Sequence, residues 1–146
     1  MTSIVKSALV PHSAHDMYEL VSDVESYPDF LPWCGGARII ERSDDVVTAS
    51  VTIAYKGVNK SFTTQNHLQP GKMIEMRLLD GPFQKLHGYW LFKELDDVAS
   101  KITLDLEFEF SNKLVAMALG PVFESIANNF VDQFQKRAQA VYGSKP

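Results

Sequence analysis

The feature that most constrains this chain is the spacing of its turn signals between residues 43 and 97. Short groups rich in Asp, Gly, Pro and Ser recur at intervals that suit a strand and are too short for a crossover helix. The signals are Ser43-Asp44-Asp45, Lys56-Gly57, Pro70-Gly71, Asp80-Gly81-Pro82 and Asp96-Asp97. Five such turns join six consecutive strands, so the centre of the chain is predicted to be an antiparallel meander.

Hydrophobicity alternates with a period of two between these turns. The clearest case is the last segment, whose apolar members are Ile102, Leu104, Leu106, Phe108 and Phe110. Charged or polar residues occupy the positions between them, and a helix would scatter this pattern around its circumference. The predicted sheet therefore has one apolar face and one solvated face.

Helices are predicted on both sides of the meander. Ser13 can cap a helix after Pro11, with Asp16 three residues on, and residues 2–10 before it form an additional strand. From Lys113 to about Tyr142 the period is 3.6, which indicates a long amphipathic helix. Gly120-Pro121 should kink this helix or divide it in two. The order of elements predicts an α+β architecture with a helix on a curved sheet.

The composition limits the classes of protein to consider. The chain has 146 residues, a net charge of −4 and one cysteine, which predicts a single soluble domain over 1–146 that folds without an internal disulfide. Its longest run without charged or polar side chains, residues 114–123, is half the length of a membrane span. The N-terminus lacks an export signal pattern, so we expect a cytoplasmic protein.

The inner face of the predicted sheet and the helix that covers it are rich in aromatic residues. These aromatic side chains either form a solid core or line a pocket for an apolar ligand. Gly88 lies among the inward positions and predicts a bend, a bulge or a close approach by another group. The segment 114–123 is apolar all round, so it forms either the lip of a cavity, able to open or to rest on a membrane, or a surface buried by neighbouring strands or a partner.

Charge is distributed unevenly along the chain. Residues 56–93 hold six basic residues against two acidic ones, a local charge of +4: Lys56, Lys60, Lys72, Arg77, Lys85 and Lys93. Residues 94–132 hold eight acidic residues against two basic ones, a local charge of −6. The basic segment is either an ordinary solvated face or a surface for anionic lipid headgroups or ribosomal RNA.

Residues for catalysis or metal binding are sparse. The four histidines have no zinc-site spacing, and Cys34 has no base near it in sequence. Asp105, Glu107 and Glu109 face away from the apolar side, so they cannot act as an acid and base toward a substrate held there. The sequence predicts no metal, no cofactor, no catalytic residue and no DNA binding.

Several motifs resemble those of a known family. They are the segment Tyr27-Pro-Asp-Phe-Leu-Pro-Trp-Cys34, then Gly81-Pro-Phe83, Leu86, Gly88, Trp90 and Phe92, and Phe108-Glu-Phe110 before the long helix. In these the chain resembles the small START-like, or polyketide cyclase/dehydrase-like, proteins, which include coenzyme-Q-binding proteins and bacterial ribosome-association toxins. The resemblance covers nearly the whole chain. It implies a helix-grip fold, in which about seven strands wrap around the C-terminal helix.

The resemblance implies two functions of different classes. The first, our main expectation, is non-catalytic binding of ubiquinone or a related polyprenyl lipid, which supports respiration or quinone synthesis and allows peripheral contact with the inner membrane. The residues expected to contact that ligand are Tyr27, Phe30, Leu31, Trp33, Tyr55, Trp90, Phe92, Phe108, Leu119, Phe123, Ile126 and Phe130. The second is binding to the large ribosomal subunit through the basic segment, which blocks subunit joining. Cyclisation of a polyketide is a distant third.

Overall fold

A computed structural model describes residues 2–143 and contains seven strands, two α-helices and one 3₁₀ helix. The strands are β1 (Thr2–Val10), β2 (Cys34–Arg42), β3 (Val46–Tyr55), β4 (Val58–Gln69), β5 (Met73–Asp80), β6 (Phe83–Asp96) and β7 (Ala99–Phe110). The helices are α1 (Ala14–Ser22), the 3₁₀ helix (Val24–Asp29) and α2 (Lys113–Tyr142). All five predicted turns fall between consecutive strands, which confirms the meander.

The seven strands form one antiparallel sheet in the order β1-β7-β6-β5-β4-β3-β2. The six meander strands follow one another in space as they do in sequence. The strand before the meander pairs with the strand that ends it, so that Thr2 faces Phe108 and Val10 faces Ser100. The edges of the sheet are therefore β1 and β2.

The two ends of this sheet carry different connections, because antiparallel neighbours reverse direction at each turn. We call one the α2 end, which holds the β3–β4 turn, the β5–β6 turn and the β7–α2 connection. We call the other the α1 end, which holds the β2–β3, β4–β5 and β6–β7 turns and the β1–α1 connection. Helix α2 begins at the α2 end and finishes near α1, where the Tyr142 hydroxyl donates to the carbonyl of Asp16.

Helix α1 begins as the sequence predicts. The Ser13 side chain accepts a hydrogen bond from the backbone N–H of Asp16 at 3.1 Å, which satisfies one donor of the first turn. The buried face of α1 carries Met17, Tyr18 and Val21. Pro28 lies in the short 3₁₀ helix that follows, and it helps to limit that element to six residues.

Helix α2 is continuous over 30 residues, with Pro121 inside it. The Asn112 side chain caps its start by accepting from the N–H of Val115, and Gly143 ends it with a positive φ of 73°. The predicted division of this helix into two pieces is therefore wrong. Hydrogen bonds on either side of the proline keep the helix together although Pro121 has no N–H to donate.

Aromatic rings join α2 to the concave face of the sheet. Trp90 lies 5.3 Å from Phe134 between ring centroids, and Phe108 lies 4.7 Å from Phe123. Both pairs adopt the edge-to-face geometry that aromatic quadrupoles favour. This packing of a long helix inside a curved sheet confirms the α+β helix-grip fold that the sequence predicts.

Candidate functional site

A small cavity lies between the concave face of the sheet and α2. Its volume is about 80 Å³. Its lining comes from the 3₁₀ helix, the segment before β2, strands β3 to β7 and α2: Val24, Tyr27, Trp33, Ala49, Val51, Ile53, Phe62, Thr64, Asn66, Met76, Leu86, Trp90, Leu104, Leu106, Phe123, Ile126, Ala127 and Phe130. Nearly all of these side chains are apolar, so the cavity suits an apolar guest.

Six of the twelve predicted ligand contacts line this cavity. They are Tyr27, Trp33, Trp90, Phe123, Ile126 and Phe130. The rings of Trp33 and Trp90 both lie within 5.7 Å of Phe130, measured between centroids. The proline-aromatic segment before β2 therefore meets the centre of α2.

The other six predicted contacts do not line the cavity. They are Phe30, Leu31, Tyr55, Phe92, Phe108 and Leu119. Leu31 and Leu119 are buried, and Phe92 packs between Tyr18 and Trp90. Alternation along a strand shows that a residue points inward, but it does not show whether the residue meets the void or a neighbouring ring.

Two of these six residues lie near the molecular surface. Phe30 packs on Phe134 and lies under the guanidinium of Arg137, 4.9 Å from it. Tyr55 lies in a shallow pocket beside Trp33 and Asn129. Both positions are outside the central cavity, although both are next to residues that line it.

Two of the three aromatic residues with donors in the cavity wall, Tyr27 and Trp33, have hydrogen-bond partners within the protein. The Tyr27 hydroxyl donates to the backbone carbonyl of Val21, and the Trp33 Nε1 donates to Oε1 of Gln133 at 3.1 Å. Burial raises the pKa of Tyr27 above its usual range, so its phenol keeps its proton. These bonds fix both rings in the cavity wall.

Two polar residues of the cavity, Thr64 and Asn66, are not among the predicted contacts. Both are buried on the inner face of β4, and the Thr64 hydroxyl donates to Oδ1 of Asn66 at 2.8 Å. Their cross-strand partners on β3 are Ala49 and Val47, which are apolar inward positions. The available signal was this mismatch, a polar pair on one strand opposite two apolar residues on the next.

At Gly88 the structure shows a close approach by a neighbouring strand, which is one of the three options that the sequence predicts. A Cβ atom at this position would lie 2.8 Å from Cδ1 of Leu106 and 2.9 Å from the backbone oxygen of Asp105. Leu106 lines the cavity, so a side chain at position 88 would push against the cavity wall. Glycine is needed at this position because there is no space for a side chain.

The apolar segment 114–123 has two kinds of residue. Leu114 and Met117 are 79% and 76% exposed, whereas Leu119, Val122 and Phe123 are buried. The buried residues face the sheet, and Phe123 reaches the cavity. The exposed ones form an apolar surface at the α2 end, which agrees with the prediction that this segment has an outward apolar side.

The six predicted basic residues are all exposed, but they lie at three places instead of one. Lys56, Lys60 and Lys85 lie at the α2 end, in or near the β3–β4 and β5–β6 turns. Lys72 and Lys93 lie at the opposite, α1 end. Arg77 is on the convex face between the two ends, where its guanidinium pairs with Glu75 at 3.2 Å.

Other candidate chemistry is limited within residues 2–143. No group of three or more His, Cys, Asp or Glu residues in this range is placed to hold a metal ion. The thiol of Cys34 donates to the carbonyl of Gly36, and burial raises the pKa of that thiol, which disfavours the nucleophilic thiolate. The cavity lining contains no carboxylate and no histidine.

Helix α2 is long and apolar enough, by length and composition alone, to cross a membrane. A helix at the centre of a folded domain meets the same criterion, and α2 buries Leu119, Phe123, Ile126, Phe134 and Ala138 in the fold. The uninterrupted apolar run of this helix, residues 114–123, is too short to predict a span from the sequence.

The chain belongs to the family described as polyketide cyclase / dehydrase and lipid transport, whose pattern matches residues 10–135. It is 47% identical to the protein named Ribosome association toxin RatA from Pseudomonas aeruginosa, over 97% of this chain and 99% of that protein. It is 29% identical to the mitochondrial Coenzyme Q-binding protein COQ10 of Drosophila melanogaster, over 91% of this chain and 58% of that protein. These matches confirm the family resemblance found in the sequence.

The fold is shared with solved structures of more distant sequence. The Zhui aromatase/cyclase from Streptomyces sp. R1128 superposes with a TM-score of 0.84 at 18% identity, covering 94% of this chain and 93% of that one. At this identity the likeness shows the helix-grip fold alone. Fold and activity are separable, because one fold can host many chemistries.

Proposed function

We propose that this chain associates with the ribosome by binding the large subunit, and that this binding blocks subunit joining. The observation that carries the proposal is the sequence identity of 47%, over nearly the full length of both chains, to a protein named as a ribosome association toxin. The similarity to the coenzyme-Q-binding protein is weaker and covers little more than half of that protein. The proposal therefore favours the second of our two expectations, and it implies a cytoplasmic location.

The α2 end of the sheet is the surface that best suits this function. It carries Lys56, Lys60 and Lys85, and α2 adds Lys113 at the same end. Exposed lysines attract RNA phosphate, and binding to them releases counterions. The neighbouring Leu114 and Met117 add an exposed apolar surface, which can contact an exposed base or a ribosomal protein.

Ribosome profiles on sucrose gradients after overexpression test this proposal. The wild-type chain should increase free subunits at the expense of joined ribosomes. Replacing Lys56, Lys60 and Lys85 together with Glu should restore joined ribosomes, because the charge at the proposed surface is reversed. The matched control replaces Lys72, Lys93 and Lys101, which lie at or near the α1 end, with Glu.

The control changes the net charge by the same amount, so it separates a local surface from total charge. It should keep the wild-type profile. Normal profiles at high wild-type expression would contradict the ribosome function. Equal effects of the two triple variants would contradict only its assignment to the α2 end.

We propose as a second function that the cavity binds an apolar ligand without catalysis, with ubiquinone or a related polyprenyl lipid as our expected guest. The apolar lining supports it, and the absence of acidic groups and histidine from that lining argues against cyclisation. The cavity of about 80 Å³ is smaller than the usual range of roughly 300–1,000 Å³ for ligand sites, so a lipid would have to displace side chains.

Mass spectrometry of an organic extract tests the second function. The protein is purified from a quinone-producing host, and the extract should contain a lipid in molar proportion to the protein. A wild-type extract free of lipid would count against this function. The Phe123→Trp variant, which fills the cavity, provides the control, because it should lose any specifically bound lipid.

A further inference from the structure

The cavity wall contains two side chains with donors that take part in no hydrogen bond among residues 2–143, Asn66 and Trp90, and Asn66 is the one with two N–H groups. The donors of Tyr27 and Trp33 already form hydrogen bonds, with Val21 and Gln133 respectively. The Thr64 hydroxyl donates its hydrogen bond to Oδ1 of Asn66. Among the hydrogen bonds of residues 2–143, none involves the Nδ2 amide group of Asn66, although this side chain lines the cavity.

Asn66 is also deeply buried. Its exposed fraction is 8%, and that of Thr64 is 7%. A buried amide without a hydrogen-bond partner costs free energy, and most such groups in native proteins have a partner. Among the residues that share this lining, the side chains of Ala49 and Trp90 have no acceptor atom, and Met76 has only a weak sulfur acceptor. A molecule inside the cavity is the partner that can accept from them.

The bond from Thr64 determines which kind of partner fits. Because Oδ1 of Asn66 accepts from the Thr64 hydroxyl, Nδ2 is the atom left to face the cavity. Nδ2 donates and cannot accept. A matching ligand therefore presents an acceptor oxygen, and a carbonyl suits an otherwise apolar cavity because it brings no donor of its own that would need a partner.

We propose that Asn66 is the polar anchor of the cavity and that its Nδ2 donates to the carbonyl oxygen of an otherwise apolar ligand. This inference rests on the ligand-binding function proposed above and adds a named contact to it, from Nδ2 of Asn66 to a carbonyl oxygen of the ligand. Thr64 acts as a positioning residue, since it holds Oδ1 and thereby turns Nδ2 toward the cavity.

The probe must be small and flexible. The cavity of about 80 Å³ is smaller than an engineered cavity of about 150 Å³ that holds benzene, so any probe has to displace side chains, as a lipid would. We choose 2-nonanone and its shape analogue 2-methyl-1-nonene, in which a methylene group replaces the carbonyl oxygen. A third probe, 2-nonanol, can donate as well as accept.

Calorimetric titration of the three probes into wild-type protein and into Asn66→Leu forms a double-mutant cycle. The substitution should weaken 2-nonanone binding by about three- to tenfold and leave 2-methyl-1-nonene binding unchanged or tighter. The chain's two tryptophans, Trp33 and Trp90, both line the cavity, so a change in their emission on titration reports that the probe is there. Thr64→Val removes the hydroxyl that positions the amide but keeps the Asn66 donor, so it should reduce the preference for the ketone by less than Asn66→Leu does.

The outcomes separate the anchor from the function on which it rests. If no probe binds the wild type, the ligand-binding function fails and the anchor fails with it. If the probes bind but Asn66→Leu changes ketone and alkene affinity by the same factor, the anchor alone is wrong. A larger loss for 2-nonanol than for 2-nonanone would overturn the assignment of Nδ2 as donor. If Asn66→Leu does not fold, Asn66→Ser replaces it, because the serine side chain is too short to reach the ligand carbonyl.

Discussion

The two parts of α2 on either side of Pro121 both carry apolar residues, but these residues have different surroundings. Before the proline, Leu114 and Met117 are more than three-quarters exposed. After it, Phe134 and Ala138 are fully buried. The second part of the helix therefore belongs to the core, while the first part combines the buried Leu119 with Leu114 and Met117, whose exposed side chains contribute little to folding. Apolar surface that does not stabilise the fold is the kind that binding functions use.

The largest expected effect tests the second part of the helix. Phe134→Ala should lower the free energy of unfolding by about 3–5 kcal/mol, because the ring packs on Tyr27, Phe30, Trp90 and Phe130 and its removal leaves a cavity. Urea unfolding followed by circular dichroism measures the change. A loss below about 1 kcal/mol would show that the second part is not the structural one.

A smaller effect of opposite sign is expected at the boundary. Pro121→Ala should raise the free energy of unfolding by about 1–3 kcal/mol, because proline is disfavoured inside a helix and Pro121 is exposed, so little packing is lost. Thermal unfolding compares the variant with wild type. A destabilised variant would mean that the proline is required by its surroundings and that the two parts depend on each other.

Tyr27 packs against Phe134 in the second part of α2, and it makes the stability of this region depend on pH. Tyr27→Phe removes the hydrogen bond to Val21 and should cost about 1 kcal/mol at neutral pH. Burial raises the Tyr27 pKa above its usual value near 10, so its contribution is complete below pH 10 and declines as the pH rises further, when the unfolded state releases the proton.

The difference in stability between wild type and Tyr27→Phe should accordingly narrow above pH 10. Urea unfolding of both proteins at a series of pH values measures it. Tyr18 and Tyr142, whose pKa values burial also raises, are present in both proteins and cancel in the comparison. A constant difference between pH 7 and 11 would contradict the burial of the Tyr27 phenol.

The smallest expected effect concerns the first part of the helix. Leu114→Ser with Met117→Ser should change the free energy of unfolding by no more than about 1 kcal/mol in total, since both side chains are exposed. The same urea assay serves, with Phe134→Ala as the reference. A loss approaching that of Phe134→Ala would mean that these residues are buried in solution, as a partner copy would bury them.

The sequence predicts the elements that local chemistry determines. The turns around Gly57, Gly71 and Gly81 separate strands because these glycines have positive φ values, and the pairing of neighbouring strands follows from those turns. The bounds of α2 follow from its apolar period and from Asn112 and Gly143. These features need no knowledge of distant parts of the chain.

The sequence predicts less of the cavity because a void depends on how distant side chains meet. Phe108 and Phe123 both point inward, yet Phe108 packs against other rings while Phe123 also reaches the void. Strand β4 gave no clear alternation, because its inward residues Thr64 and Asn66 are polar like their outward neighbours. The same polarity that hid the strand pattern is what gives the cavity its anchor.

The pairing of β1 with β7 has a consequence for how the chain folds as it is synthesised. Thr2 pairs with Phe108, so β1 cannot form its ladder until β7 has been synthesised. The first strand therefore leaves the ribosome long before its partner exists. Contacts of such long sequence separation slow folding. The α2 end, which needs β7 and the start of α2, is likewise among the last surfaces to form. A protein that acts on ribosomes through that end would be inactive toward the ribosome that makes it until nearly the whole chain has been translated.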